Sequence, residues 1–256
     1  MFLWETIAFG PIRSRRLGDS LGINLLPTSK KLCSFDCLYC ECGWTLETTI
    51  DPACFYPVAV INEAIEQKLQ KCHKENIHID SITFSGNGEP TLHPNFSQII
   101  DNLLKLRDKY YPNSMITVLS NATMTGNSEI REALLKIENP ILKLDAVTEE
   151  LYQLLNKPTM PISINEIIDW LTLFQGKFIM QTLLFKGTTN NISFDNSNAT
   201  HISQWLTVVK KLKPTKVMLY SLDRATPAQQ LEKIPFQQLE EIAEKVRELG
   251  IKTDIY

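Results

Sequence analysis

Apolar positions along the chain fall into two alternating periods. Short runs rich in Ile, Val, Leu, Phe and Thr lie at Leu21–Leu26, Ser81–Ser85, Met115–Ser120, Ile141–Asp145, Phe178–Leu184 and Lys216–Leu222, and read as β-strands. Between them, apolar residues recur at helical spacing. Ile61, Ile65 and Leu69 follow Pro57. Phe96, Ile99, Ile100, Leu103 and Leu104 follow Pro94 and Asn95. Ile202, Trp205, Leu206, Val209 and Leu212 are stopped by Pro214. Leu239, Ile242, Ala243, Val246 and Leu249 end at Gly250, placed as a C-terminal cap. Weaker helical patterns occupy Ser128–Ile137 and Ile164–Phe174.

Six strand-plus-helix units in strict alternation imply a parallel sheet with crossover helices. Six units are too few for the eight that close a barrel. The fold class is therefore α/β, a partial, laterally open (βα)6 barrel formed by residues 1–256 as one domain. A flat doubly wound sheet is the competing arrangement. Gly187–Asn198, rich in Thr, Asn and Ser, reads as the most mobile insertion.

Alternation along the strands separates two faces. Ser81, Thr83 and Ser85 share one face of their strand, with Ile82 and Phe84 opposite; Lys143 and Asp145 likewise oppose Leu142 and Leu144. The apolar faces should meet the helices, leaving a polar lumen expected to be a wet ligand cavity. In parallel α/β folds chemistry gathers at the C-terminal strand ends. The polar clusters here follow that rule: a cysteine loop, Ser85–Pro90, Ser120–Ala122, Lys143–Ala146 and Tyr220–Arg224.

Composition narrows the partners. Lysine plus arginine is 26 and aspartate plus glutamate 29, a net charge of −3, which argues against a protein coated in basic charge for nucleic acid. No run approaches the ~20 apolar residues that span a bilayer, and Met1–Gly10 does not read as a signal peptide. A reducing cytoplasmic setting is expected, with no membrane partner. There, four of the six cysteines falling within ten residues point to metal rather than to disulfides.

Cys33, Cys37 and Cys40 have the spacing C-x3-C-x2-C. Three thiolates on one short loop can hold three corners of a cubane iron–sulfur cluster, leaving one iron open to a small chelating molecule. A structural zinc site of Cys33, Cys37, Cys40 and Cys42 is the alternative, although such sites usually draw on two separated knuckles. Cys42 reads as a bystander to the cluster.

The loop Cys33–Cys40, with aromatic Tyr39 before its last cysteine, resembles the radical S-adenosylmethionine (radical SAM) superfamily. Phe9–Gly18, Thr83–Pro94, Leu142–Ala146, Met180–Thr182 and Leu219–Arg224 are similar to the subgroup of tRNA wyosine-base (4-demethylwyosine) synthases. The resemblance implies a radical SAM-type partial barrel. It implies one [4Fe–4S] cluster on Cys33, Cys37 and Cys40, with SAM on the open iron. SAM would then be cleaved reductively to a 5′-deoxyadenosyl radical that takes a hydrogen atom from substrate. Gly86, Asn87, Gly88 and Glu89 match the family's SAM-binding glycine segment with Asn87 inserted, and Tyr39, Ser120, Asn121 and Asp145 complete the expected cofactor contacts. Lys143 could hold a carboxylate, or react with a carbonyl if its amine were deprotonated; an internal ion pair with Asp145 is the other reading.

Arg13, Arg15, Arg16, Gln181, Tyr220 and Arg224 are the candidate substrate contacts. His93 reads as a turn or cap residue. The expected electron donor is of flavodoxin or ferredoxin type. No cysteine precedes Cys33, where wyosine-base synthases carry a second cluster, so the substrate stays open between RNA and a partner protein. An activase or peptide modifier is one alternative. A zinc-stabilised nucleic-acid module using Arg13, Arg15 and Arg16 is another.

Overall fold

The six sequence-predicted strands all form, and they lie side by side. A computed structural model describes residues 2–47, 49 and 51–256. In chain order its elements are β1 (Ala8–Ser14), β2 (Gly18–Ile23), α1 (Val58–Lys74), β3 (Ser81–Phe84), α2 (Phe96–Tyr110), β4 (Met115–Ser120), α3 (Ser128–Leu135) and β5 (Asn139–Lys143). Then follow α4 (Glu149–Leu155), α5 (Ile164–Thr172), β6 (Ile179–Leu183), β7 (Phe185–Thr189), β8 (Ile192–Asp195), α6 (Ala199–Leu212), β9 (Lys216–Tyr220), β10 (Leu231–Lys233), α7 (Phe236–Arg247) and β11 (Lys252–Ile255). Strands β2, β3, β4, β5, β6 and β9 pair in that order, all parallel. β11 extends the sheet in parallel beyond β9, and β1 lies antiparallel on β2. The edges are thus β1 and β11, as an open partial barrel requires.

The helices form where the apolar stripes lie. α1 buries Ile61, Ile65, Leu69 and Cys72; α2 buries Phe96, Ile99, Ile100 and Leu103. α5 starts on a reciprocal capping box between Ser163 and Glu166. α6 ends at Lys213, which is left-handed and precedes Pro214. Beyond α7, Gly250 takes φ +78° and its N–H bonds the Arg247 carbonyl, so it ends the helix as expected.

The lumen departs from the expected wet cavity in two respects. Ser20, Ser81, Thr83 and Thr117 do face inward, but their hydroxyls bond one another at 2.7–3.0 Å. The next layer is apolar: Ile141, Ile179 and Met218 pack with Leu17, Leu119 and Tyr256. Polar side chains reappear only at the C-terminal strand ends.

Gly187–Asn198 is also not a loose insertion. It forms most of the β7–β8 hairpin, joined by β10. Asn190 and Asn191 both take positive φ, which supplies the two-residue turn that antiparallel strands favour. Buried Asn196 anchors its root: it donates to the Asp145 and Leu183 carbonyls at 3.0 and 2.9 Å and accepts from the Phe185 N–H at 2.7 Å.

Candidate active site

The cysteine loop leaves the C-terminal end of β2 and is pinned at both ends. Leu32 donates to the Asn87 carbonyl at 2.8 Å, and its own carbonyl accepts from Glu89 at 3.1 Å. On the other side Asp36 and Leu38 donate to carbonyls of Asn156, Lys157 and Leu155 at 2.9–3.0 Å. The loop thus hangs between the glycine loop after β3 and the end of α4.

Three groups converge on its sulfurs. The Lys31 side chain is buried and donates to the Gly43 carbonyl at 2.8 Å. Burial alone would drive off its proton, but Cys40, Cys33 and Cys37 raise its affinity instead. Asn121 Nδ2 lies 3.6 Å from Cys33 Sγ, and Asn156 Nδ2 lies 3.5 Å from Cys37 Sγ. The Phe35 N–H points at Cys33 from 3.4 Å. Burial raises the Cys33 and Cys37 thiols. Cys40 is pulled down, to about 5, chiefly by a hydrogen bond from Cys42 and further by Lys31. Cys42 Sγ also lies 3.2 Å from the Gly86 carbonyl.

This donor set fits an iron–sulfur cubane. It offers three thiols on one loop, a buried ammonium to offset thiolate charge, and N–H donors aimed at sulfur, the interactions that tune such clusters. Among the described residues no three His, Cys, Asp or Glu side chains are grouped to hold one metal ion.

The glycine loop is rigid. Gly86 and Gly88 take φ +156° and +139°. A Cβ on Gly86 would lie 2.5 Å from Asn24 Oδ1, and one on Gly88 1.8 Å from the Leu32 carbonyl oxygen, so backbone packs on backbone here. The Asn87 side chain is consumed internally. It donates to the Trp4 and Pro27 carbonyls, both at 2.9 Å, and accepts from the Trp4 N–H at 2.8 Å. Its side chain thus ties the N-terminal segment to the loop, and its backbone stays in the glycine segment expected to meet the cofactor. Glu89 is 2% exposed. It accepts from the Asn121 N–H at 2.6 Å, the Thr91 N–H at 3.0 Å and the Thr91 hydroxyl at 2.5 Å. Burial nonetheless raises its pKa.

Ser120 and Asn121 shape the turn after β4. Ser120 accepts from the Ala122 N–H at 3.0 Å, and Asn121 donates to Ser34 at 2.8 Å. His93 accepts the Asn95 N–H on Nδ1 at 3.1 Å and places Nε2 3.0 Å from the Tyr56 carbonyl. It caps a turn, and the contacts fix its tautomer as Nε2–H.

Asp145, Tyr39 and Lys143 form one buried group. Tyr39 donates its hydroxyl to Asp145, and Lys143 Nζ donates to Tyr39 at 2.8 Å and stands 3.6 Å from Asp145. Asp145 also accepts from the Leu183 N–H at 2.9 Å and from Asn156 at 3.1 Å. With both oxygens engaged, Asp145 orients Tyr39 and Lys143. Burial acts to deprotonate Lys143, but Asp145 outweighs it and the net shift is upward. Gln181 and Tyr220 also meet, at 2.6 Å. By contrast Arg13, Arg15 and Arg224 form exposed ion pairs with Asp19, Asp223 and Glu41 at 3.1, 2.6 and 2.5 Å.

Sequence reasoning missed Lys31, Ser34 and Asn156. Lys31 lies two residues before the first cysteine, so a basic residue near the thiolates is a readable signal. Asn156 carries no local signal: it caps a seven-residue helix, α4, and reaches the site only through the fold.

The family model for the Radical SAM superfamily matches residues 30–191, which take in the cysteine loop, the glycine loop and strands β3 to β7. The chain belongs to the radical SAM superfamily. Its curated relatives include a UPF0026 protein of Methanocaldococcus jannaschii, 33% identical over 218 residues, covering 84% of this chain and 63% of that protein. A UPF0026 protein of Synechocystis is 31% identical, covering 86% of this chain and 77% of its own length. The chain thus spans less than two thirds of the Methanocaldococcus relative. Among solved structures, a radical SAM methyltransferase from Sphaerobacter thermophilus superposes with TM-score 0.66 at 14% identity, covering 93% of this chain and 65% of that one. TYW1 with a lysine–pyruvate adduct bound superposes with TM-score 0.64 at 17% identity, covering 90% and 73%. These likenesses establish the fold. The sequence relatives above are UPF0026 proteins, so the expected placement among wyosine-base synthases is not carried by sequence.

Proposed function

We propose that this chain is a radical SAM enzyme holding one [4Fe–4S] cluster on Cys33, Cys37 and Cys40, with SAM as co-substrate. Bound there, a reduced cluster would supply one electron to SAM, whose C5′–S bond would break to leave methionine and a 5′-deoxyadenosyl radical for hydrogen abstraction. The observation that carries this reading is the convergence of Lys31, Asn121 and Asn156 on the three cysteines. Each also bonds a neighbouring residue, and together they would stabilise a buried thiolate set.

The chain's own residues then divide the work. Lys31 offsets negative charge beside the cysteines. Gly86 and Gly88 bring the backbone of the glycine loop against the cysteine loop. Glu89 aligns Asn121, which in turn holds Ser34 and faces Cys33. Lys143, whose pKa Asp145 raises, presents an ammonium to a carboxylate. Tyr39 closes one side of that ammonium, with its ring centroid 4.7 Å from Nζ. The electron donor is expected to be a flavodoxin or ferredoxin, and the substrate an RNA or a protein.

Anaerobically reconstituted protein mixed with dithionite and SAM should release 5′-deoxyadenosine. Protein carrying Cys33→Ala should release none. Colourless wild-type protein with stoichiometric zinc would instead favour the zinc-stabilised module.

A further inference from the structure

The β1–β2 hairpin delivers one arginine into the barrel and leaves it without a counterion. Its tip, Arg15–Leu17, is held rigidly. Ser14 Oγ accepts the N–H groups of Arg16 and Leu17 at 3.3 and 3.2 Å. Asp80 accepts the Asp19 N–H at 2.7 Å, and its carboxylate fills the space beside Gly18, where a Cβ would lie 2.2 Å from Oδ2. Leu17 inserts among Ile141, Ile179 and Met218 on the lumen face of β5, β6 and β9. Arg16 is carried in with it. Its guanidinium lies 5.2 Å from the centroid of the Tyr220 ring, and its Nη1 is buried with no hydrogen-bond partner.

The contrast with its neighbours is informative. Arg13, Arg15 and Arg224 reach Asp19, Asp223 and Glu41 at the surface. Arg16, the most interior of the four, has no acidic partner among the described residues. The residue is only half-buried, yet its Nη1 is shut off from solvent without a partner, and an arginine fork matches a carboxylate or phosphate in two parallel hydrogen bonds. Tyr220 covers the guanidinium with its ring. Its hydroxyl meets the Gln181 amide at 2.6 Å. Whichever way that amide is turned, the pair keeps an N–H or O–H to donate.

We propose that Arg16, Tyr220 and Gln181 form an oxyanion site for the substrate, taking a carboxylate or phosphate. The site lies on β6 and β9, beside Lys143 of β5, whose Cα pairs with that of Gln181. None of its three residues is among the expected cofactor contacts. Only the word substrate rests on the proposed radical SAM chemistry; the anion site itself does not.

The test needs no turnover. The protein is titrated with inorganic phosphate and, separately, with acetate, at constant ionic strength balanced by chloride. Melting temperature and, for phosphate, the phosphorus-31 line width are recorded. Wild type should respond saturably to at least one anion, and the stronger response identifies a phosphoryl or a carboxylate group. Arg16→Met should weaken that binding at least tenfold without loss of the far-ultraviolet circular dichroism. Arg16→Lys should weaken it three- to tenfold, because charge is kept and the fork is lost. Tyr220→Phe should weaken it several-fold through loss of the hydroxyl donor. Arg15→Met should bind as wild type does, since Asp223 already engages that side chain. The proposal is overturned if wild type responds to neither anion, or if Arg16→Met and Arg15→Met behave alike. Either failure would leave 5′-deoxyadenosine release untouched, so the two readings fail separately.

Discussion

Gly88→Ala should unfasten the cysteine loop. Gly88 sits at φ +139°, and a Cβ there would lie 1.8 Å from the Leu32 carbonyl oxygen and 2.5 Å from its carbon. Neither atom can swing aside as a flexible side-chain tip would, because both are backbone. Leu32 is 1% exposed and adjoins Cys33, so the contact can be relieved only by moving the loop. Holding an L-residue in such a conformation costs about 1–3 kcal/mol. Displacing Leu32 also endangers its two hydrogen bonds, to Asn87 and from Glu89, each contributing about 0.5–1.5 kcal/mol. The total is about 2–6 kcal/mol, or a melting temperature lower by roughly 10 °C for a chain of this size. Gly250→Ala is the control: φ there is +78°, but nothing lies within 4 Å of the new Cβ. Its cost should be about 1–2 kcal/mol, from backbone conformation alone. Urea denaturation and iron content after reconstitution read both effects, with iron retained in Gly250→Ala and lost in Gly88→Ala. If Gly88→Ala costs no more than Gly250→Ala and keeps its iron, the reasoning about this junction is wrong.

Three further outcomes are expected. Asn87→Ala removes three side-chain hydrogen bonds and strands the Trp4 and Pro27 carbonyls, so urea denaturation should show a loss of about 2–4 kcal/mol; a loss under 1 kcal/mol would contradict the tie. Stability should fall as pH drops from 7.5 to 5.5: burial lowers the pKa of His93 and His201, so the unfolded chain takes up protons near pH 6.5 that the native chain resists. Glu89, raised by burial, acts in the opposite sense, so the urea midpoint of His201→Leu is compared with wild type at each pH. A slope no flatter in the variant would refute the His201 contribution. Cys42→Ala should keep the full iron content of wild type and lose under about 1 kcal/mol, although it removes a weak S–H donor to Gly86 and the hydrogen bond that lowers Cys40; loss of iron would make Cys42 a ligand.

The strands that frame the lumen were legible because β-branched and aromatic runs, bounded by Pro, Gly and Asn, carry a local signal. The edges were not. β1 contains Gly10 and Pro11, which argue against a strand, yet an edge strand tolerates proline. β11 is four residues long and half charged, too short for periodicity to register. α4 has seven residues and two buried side chains, so its stripe is barely visible. The same division holds in the site. Cys33, Cys37, Cys40 and Gly86–Glu89 are contiguous motifs and could be read directly. The hydrogen bond from Lys143 to Tyr39, the arrival of Asn156 at Cys37 and the packing of Arg16 on Tyr220 join residues 104 to 204 positions apart. No spacing rule encodes them.

The central claim is tested most directly by electron paramagnetic resonance of the anaerobically reconstituted, dithionite-reduced protein, recorded with and without SAM. A reduced cubane signal that shifts when SAM is added, and vanishes in Cys33→Ala, Cys37→Ala and Cys40→Ala, is the expected result. A wild-type protein with no such signal, or one whose signal SAM leaves unchanged, would contradict the account.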